Sequence, residues 1–389
     1  MRNALPNTRM KDIPFSGGIR EIRARGHELE AMGKKVIHME VGEPDFDSPE
    51  CAKRAAIDAL ARADVHYTDI SGTTEFLGEL AKYYNRTPGM NVDPNEHIVI
   101  TCGAVEALYL TYIALLEPDD EVIVIAPYFP AYFDQIQLVG AKIVLIPTRQ
   151  EDGFALSKND LERAITPKTR IILINSPNNP SGYVMTESDM ASVAEIARSH
   201  DLYVIADECY EQFLYEGRHI RMASLPGMAE RTITVSSASK TFAMTGWRVG
   251  WAIVPPGTQK YFAKAHQNIT TCAASFAQAG TAEAFRSAAD DVGKMIAEYK
   301  RRRDMAMSYI NKMNGIKAIV PKGAFYIFPK ITVNMNAPEF CRYLLEEALV
   351  ATVPGDNFGL PGYFRMAYCR SYEDVELAMR KMSDALAKL

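Results

Sequence analysis

The chain has 389 residues, 48% hydrophobic and 10% aromatic, which is apolar material for a large core and more chain than one core usually organises. Its 43 Lys and Arg against 48 Asp and Glu give a formal charge of -5, which supplies no basic field for nucleic acid or anionic membrane and makes a small molecule the expected partner. Six cysteines at 51, 102, 209, 272, 341 and 369 form no CxxC pair, and no apolar run approaches the roughly 18 residues of a membrane span, so a reducing, cytoplasmic setting is expected.

Residues 1–45 open with MRNALPNTRMKDIPFSGG, which lacks the apolar centre of a secretory signal, and pass through one helix-like stretch to the strand VIHMEV. They are too few to enclose a core and are expected to pack on the C-terminal part of the chain. From 97 to 254, short apolar runs alternate with amphipathic stretches: HIVIT, GAVEALYLTYIALL, EVIVIA, AKIVLIP, RIILIN, LYVIAD and RTITVS. Such strands, apolar throughout and separated by helices, make an α/β fold with a mainly parallel sheet flanked by helices. Ligands gather beyond the carboxyl ends of these strands, so the polar residues after each run are the first candidates for chemistry. Past about residue 285 the pattern becomes a long charged helix through MIAEYKRRRDMAMSYINKM, short strands near GAFYIFP and ALVATVP, and a closing helix. The expected organisation is a large α/β domain over 46–285 and a smaller α+β domain made of 1–45 and 286–389.

The most informative segment is SSASKTFAMTGWRVGW, in which Ser237 and Ser239 precede Lys240 and Arg248 follows it. Hydroxyls and a guanidinium around one lysine make an anion pocket. A lysine that forms a Schiff base needs a neutral amine, which desolvation and nearby positive charge both favour. Roughly nine lysines in ten are simply solvated, but this one follows a buried-strand pattern. In VIADECY, Asp207 closes a strand and Tyr210 follows; an Asp so placed is by itself most often a helix cap or turn residue. INSPNNPSG reads as a tight turn that carries Asn179. HIVITCGAVEALYL sets Gly103, Ala104 and Val105 between a strand and a helix, where backbone N–H groups and the helix dipole can hold a phosphate, although most such turns hold none.

In this order, from about residue 36 to residue 370, these segments resemble the class I/II aminotransferases, the aspartate aminotransferase-like members of fold type I of the pyridoxal-phosphate enzymes. The resemblance implies pyridoxal 5'-phosphate held by Lys240, which also serves as general acid and base. It implies Asp207 at the pyridinium nitrogen, keeping the ring an electron sink, and Tyr210 at the phenolic oxygen. The phosphate is then expected at Gly103, Ala104 and Val105 with Ser237 and Arg248, and Phe129 of APYFPAY on the ring face. Asn179 is expected at the cofactor oxygen and the substrate carboxylate, and Arg365 of YFRMAYCR as a fork for that carboxylate. Gly42 of VGEPDF matches a place where backbone passes close to the substrate. Tyr67 of HYTDISGTTEF matches a tyrosine that reaches the phosphate of the neighbouring subunit's cofactor, which implies a homodimer. The implied activity is ping-pong transfer of the amino group of an L-amino acid, aspartate or another, to a 2-oxo acid such as 2-oxoglutarate. Two departures from the family pattern, Phe76-Leu77-Gly78 and Gly323-Ala324-Phe325, are expected near the entrance and the small domain and to bear on the substrate more than on the cofactor. Arg20 and Arg23 are candidates for a second substrate carboxylate.

HExxH, GxxxxGK[ST], GxSxG and GxGxxG are absent, and seven scattered histidines offer no metal pair, so no metal is expected. A carbon–sulfur β-lyase of the same fold would use a similar site, but the TGWR string favours transfer. An aminotransferase-like ligand-sensing regulator would need a DNA-binding module, and the 45 or so residues before the first motif are neither strongly basic nor a helix-turn-helix.

Overall fold

The first strand of the computed structural model, which describes Met10, Ile13 and residues 17–389 with the side chains of 17–20 left aside, is β1 (Ile37–His38). It stands apart from a seven-stranded sheet made of β2 (Ile98–Thr101), β3 (Glu121–Ala126), β4 (Lys142–Pro147), β5 (Thr169–Asn175), β6 (Tyr203–Asp207), β7 (Thr232–Ser237) and β8 (Gly250–Ile253). Their order is β2-β8-β7-β6-β5-β3-β4. Six of these strands are the apolar runs of the sequence. The central ones are buried on both faces, which is why they read as continuous rather than alternating hydrophobic stretches.

The seventh, β8, had no counterpart among those runs. It is antiparallel to β2 and β7, whereas the other pairings in the sheet are parallel. The link from β7, residues 238–249, holds a four-residue helix and a 3₁₀ turn, too little chain for a crossover, so the strand returns in the opposite sense. This reversal positions the site. β8 begins where its neighbours end: Gly250 pairs with both Ser237 and Thr101, so Arg248, two residues upstream, arrives at the carboxyl edge of the sheet.

Outside the sheet, Ile22, Leu29, Ile37 and Met39 pack with Tyr299, Met307, Phe340, Met366 and Met379 in one apolar cluster. β1 pairs in parallel with Val350–Ala351, and Tyr326–Ile327 lies antiparallel to Phe364–Ala367. The expected strand VIHMEV is therefore only two residues long as ladder. Beyond it the backbone carbonyls serve other groups: Met39 O accepts from Ala367 N, Glu40 O from the Arg365 guanidinium and Gly42 O from Lys240. The long helix runs over Ala289–Ile310, with Asp290 and Asp291 in its first turn where the helix dipole favours acids. The closing helix, Tyr372–Leu386, is capped by the Ser371 hydroxyl accepting from Asp374 N. Among the described residues no helix is long and apolar enough to cross a membrane.

Candidate active site

A cavity of about 380 Å³ opens where β5, β6 and β7 end. Lys240, in the helix Ala238–Thr241 just after β7, points its amine into it and donates to Gly42 O at 2.7 Å. Burial lowers the pKa of this amine, and the positive charge of Arg365 acts in the same direction. Gly42 has no room for a side chain: a Cβ there would stand 2.0 Å from the Tyr326 hydroxyl.

Asp207 closes β6 and is buried. Its Oδ1 accepts from Cys209 N at 3.1 Å and its Oδ2 accepts from the Tyr132 hydroxyl. Asn175, its neighbour across the ladder, donates to Asp207 O at 3.0 Å. Burial raises the Asp207 pKa, and the Tyr132 and Cys209 hydrogen bonds oppose that rise. Among the described residues Asp207 makes no salt bridge. A carboxylate so placed is costly unless a cation meets it, which fits a protonated ring nitrogen.

Arg365, on the strand Phe364–Ala367, is also buried. Its Nη1 donates to Asn179 Oδ1 at 3.1 Å and its Nη2 to Glu40 O at 2.6 Å, while its Nε has no acceptor among the described residues. The guanidinium lies between the rings of Tyr326 and Phe358. Three of its five N–H groups remain for a ligand, the number and plane that suit a carboxylate. The Tyr210 hydroxyl, also at the cavity, lies 2.8 Å from that of Tyr326.

The remaining wall suits a phosphate. Gly103 has φ +88°, and a Cβ on it would stand 2.5 Å from Arg248 Nη2. The helix Ala104–Leu115 follows, so the N–H groups of Ala104 and Val105 in its first turn have no partner within the helix, and both residues line the cavity. Arg248 is held by bonds from its Nη1 to Thr245 O and its Nη2 to Cys102 O. Ser237 and Phe129 line the same space.

Most of the residues expected from sequence therefore meet at one cavity. Tyr67 does not: it is 85% exposed, on the loop before the helix Thr74–Tyr84, and stands outside the cavity of its own chain. Arg23 lines a separate hollow with His27 and Lys35, and the Arg20 side chain lies outside the described residues. The two departures fall in different places. Phe76 and Leu77 are buried against Ile98 and Trp251, whereas Ala324 and Phe325 belong to the cluster of Ile22, Met366 and Met379, with the Phe325 ring 5.9 Å from Lys240 Nζ. Nothing lies within 4 Å of a Cβ built on Gly78, so the structure gives no reason for that glycine. Sequence reasoning missed Tyr132, Asn175 and Tyr326. All three stood inside segments singled out for other residues, Asn175 in INSPNNPSG beside Asn179, and the only signals were a polar or aromatic residue beside a motif.

The family described as Aminotransferase class I and II matches residues 34–382. The aspartate aminotransferase of Pyrococcus abyssi is 40% identical over 365 residues, covering 92% of this chain and 94% of the relative. Aromatic-amino-acid aminotransferase 2 of Thermococcus litoralis is 39% identical, covering 90% and 92%. Among solved structures, the aspartate aminotransferase from Rhizobium meliloti is similar with a TM-score of 0.95 at 36% identity, covering 100% of each chain. The aromatic aminotransferase from Pyrococcus horikoshii OT3 has a TM-score of 0.89 at 39% identity, covering 93% of this chain and 99% of that one.

Proposed function

This chain belongs to the class I and II aminotransferases, and we propose that Lys240 is its catalytic base, acting on an amino acid whose α-carboxylate Arg365 holds. It is a pyridoxal-phosphate-dependent enzyme of fold type I that moves an amino group from an L-amino acid to a 2-oxo acid. The observation that carries the residue assignment is one of convergence. A lysine amine with a depressed pKa, a buried guanidinium with an unpartnered Nε and a buried carboxylate without a salt bridge share one cavity.

When bound, pyridoxal phosphate supplies the carbonyl that takes up the amino group and a ring that draws electrons from the substrate's Cα. The first turn of the helix Ala104–Leu115, with Ser237 and Arg248, would hold its phosphate. Asp207 would keep a proton on the ring nitrogen, Tyr210 would donate to the phenolic oxygen, and Phe129 would cover one ring face. Arg365 and Asn179 fix the α-carboxylate, and Gly42 lets the backbone approach the substrate. Lys240 Nζ, freed when the substrate amine takes its place, would take the proton from Cα and pass it to the cofactor carbon that bears the amino group; in the second half of the cycle it would carry a proton from that carbon to the Cα of the acceptor.

Aspartate or another L-amino acid is the donor and 2-oxoglutarate the acceptor in this reading, in keeping with relatives named for aspartate and aromatic amino acids. We place residues 46–285 in a large domain and 1–45 with 286–389 in a small one, the cavity taking Lys240 from the first and Arg365 from the second. We further propose a cytoplasmic homodimer in which Tyr67, exposed in the single chain, reaches the partner's phosphate.

The test is a half-reaction screen, following the spectrum of the bound cofactor against a panel of amino acids. L-Aspartate or an aromatic amino acid should convert it, and Lys240→Ala should abolish turnover with every donor. Transamination by the purified variant at the wild-type rate would sink the assignment.

A further inference from the structure

Tyr326 stands where three parts of the site meet. Its hydroxyl is 2.8 Å from that of Tyr210. Its ring lies 4.7 Å from the Arg365 guanidinium, with Phe358 at 4.8 Å. Its hydroxyl also fills the space a side chain would need at Gly42, the residue whose carbonyl receives Lys240. The backbone holds it there. Tyr326 pairs with Ala367 across an antiparallel ladder, and Ala367 and Arg365 lie two apart on that strand and so share a face. The tyrosine is almost fully buried.

We propose that Tyr326 is a positioning residue: its hydroxyl donates to Tyr210 and its ring confines Arg365, so that one side chain sets both the donor to the cofactor and the receptor for the substrate's carboxylate. This rests on the roles given above to Tyr210 and Arg365.

The polarity of the tyrosine pair follows from counting hydrogens. Tyr210 has one hydroxyl hydrogen, and if the cofactor's phenolic oxygen is to receive it, Tyr326 must be the donor within the pair. A phenol that accepts a hydrogen bond becomes a stronger donor through its own proton. A stronger donor stabilises the deprotonated form of the oxygen it serves and lowers the pH at which the bound cofactor titrates. The ring acts separately. A guanidinium between two aromatic faces is held in one plane by cation–π attraction without using its N–H groups, which leaves Nε and one hydrogen on each Nη for the substrate.

Two variants of the holoenzyme separate these effects, Tyr326→Phe, which keeps the ring, and Tyr326→Leu, which removes it. The readouts are the pH midpoint of the bound cofactor's absorbance and the KM for the best donor from the half-reaction screen. In Y326F the midpoint should rise by about half a pH unit, roughly threefold in proton affinity, with KM changed less than about twofold. In Y326L the same midpoint shift should be joined by a rise in KM of about tenfold. In a Tyr210→Phe background, Y326F should add no further shift, because its effect passes through the missing hydroxyl. The proposal is overturned if Y326F leaves the midpoint unmoved, or if Y326F and Y326L change KM alike, since both variants would then only loosen packing. Thermal melts of the apoenzymes report folding, and Tyr326→Met carries the ring-deletion arm if leucine impairs it. A wild-type enzyme that shows no cofactor band, or converts no amino acid, counts instead against the reading of the site itself.

Discussion

Burial acts on Lys240 and Asp207 in opposite chemical directions, lowering the pKa of the amine and raising that of the carboxyl, so both move toward neutrality. For the lysine that is the useful form. For Asp207, in its proposed place against a ring cation, it must be opposed, and the donors that oppose it are Tyr132 and Cys209 N. Tyr132→Phe removes one of them and leaves Asp207 Oδ2 buried without a donor in the apoenzyme. The expected cost is about 1–2 kcal/mol of stability, read by urea denaturation of the apo form, together with a fall in kcat of about tenfold. Unchanged values on both counts would remove Tyr132 from the site. The sequence marked Asp207 because a strand ends there. It could not mark Tyr132, whose helix lies 75 residues earlier and whose inward face is chosen by packing.

At the scale of elements, β1 and the helix Gly17–Ala31 are joined through charge. His38 Nδ1 is 2.7 Å from Glu40 Oε1, and its Nε2 is 3.1 Å from Glu30, which also meets His27. Two histidines that looked scattered in sequence thus gather around one carboxylate. The hydrogen bond with Glu40 chiefly raises the His38 pKa. A histidine whose folded pKa exceeds its unfolded value contributes stability that is complete below the unfolded value, near 6.5, and is lost as pH rises through the folded one. Glu40→Gln should therefore lower the melting temperature more at about pH 6 than at about pH 9, as circular dichroism of the apoenzyme would show; an equal loss at both values would assign Glu40 a packing role. Six of the seven sheet strands were legible because each is a near-continuous apolar run set off from a neighbouring amphipathic stretch. β8 was not, since it begins with glycine and is hidden in a motif read for Arg248.

For the whole molecule, the proposed dimer predicts complementation. Lys240→Ala and Tyr67→Ala protomers, each inactive alone, should regain activity when co-expressed, because one site of the mixed dimer combines an intact lysine with an intact tyrosine. Absence of recovery in a verified mixed dimer would detach Tyr67 from the neighbouring site. Lys240, Asp207, Asn179, Arg248 and Arg365 were all named from the sequence, and so were the α/β class and the family. Strand and helix periodicity is written locally, and the order of several motifs is a property of the chain alone. Only the tertiary structure decided which groups complete them: Tyr132 on Asp207, Tyr326 between Tyr210 and Arg365, and the Gly42 carbonyl on Lys240. Those contacts join residues 75, 116 and 198 positions apart in the hydrogen-bonded cases. They depend on strand direction and on which face of each element turns inward, and residue order does not encode either one locally.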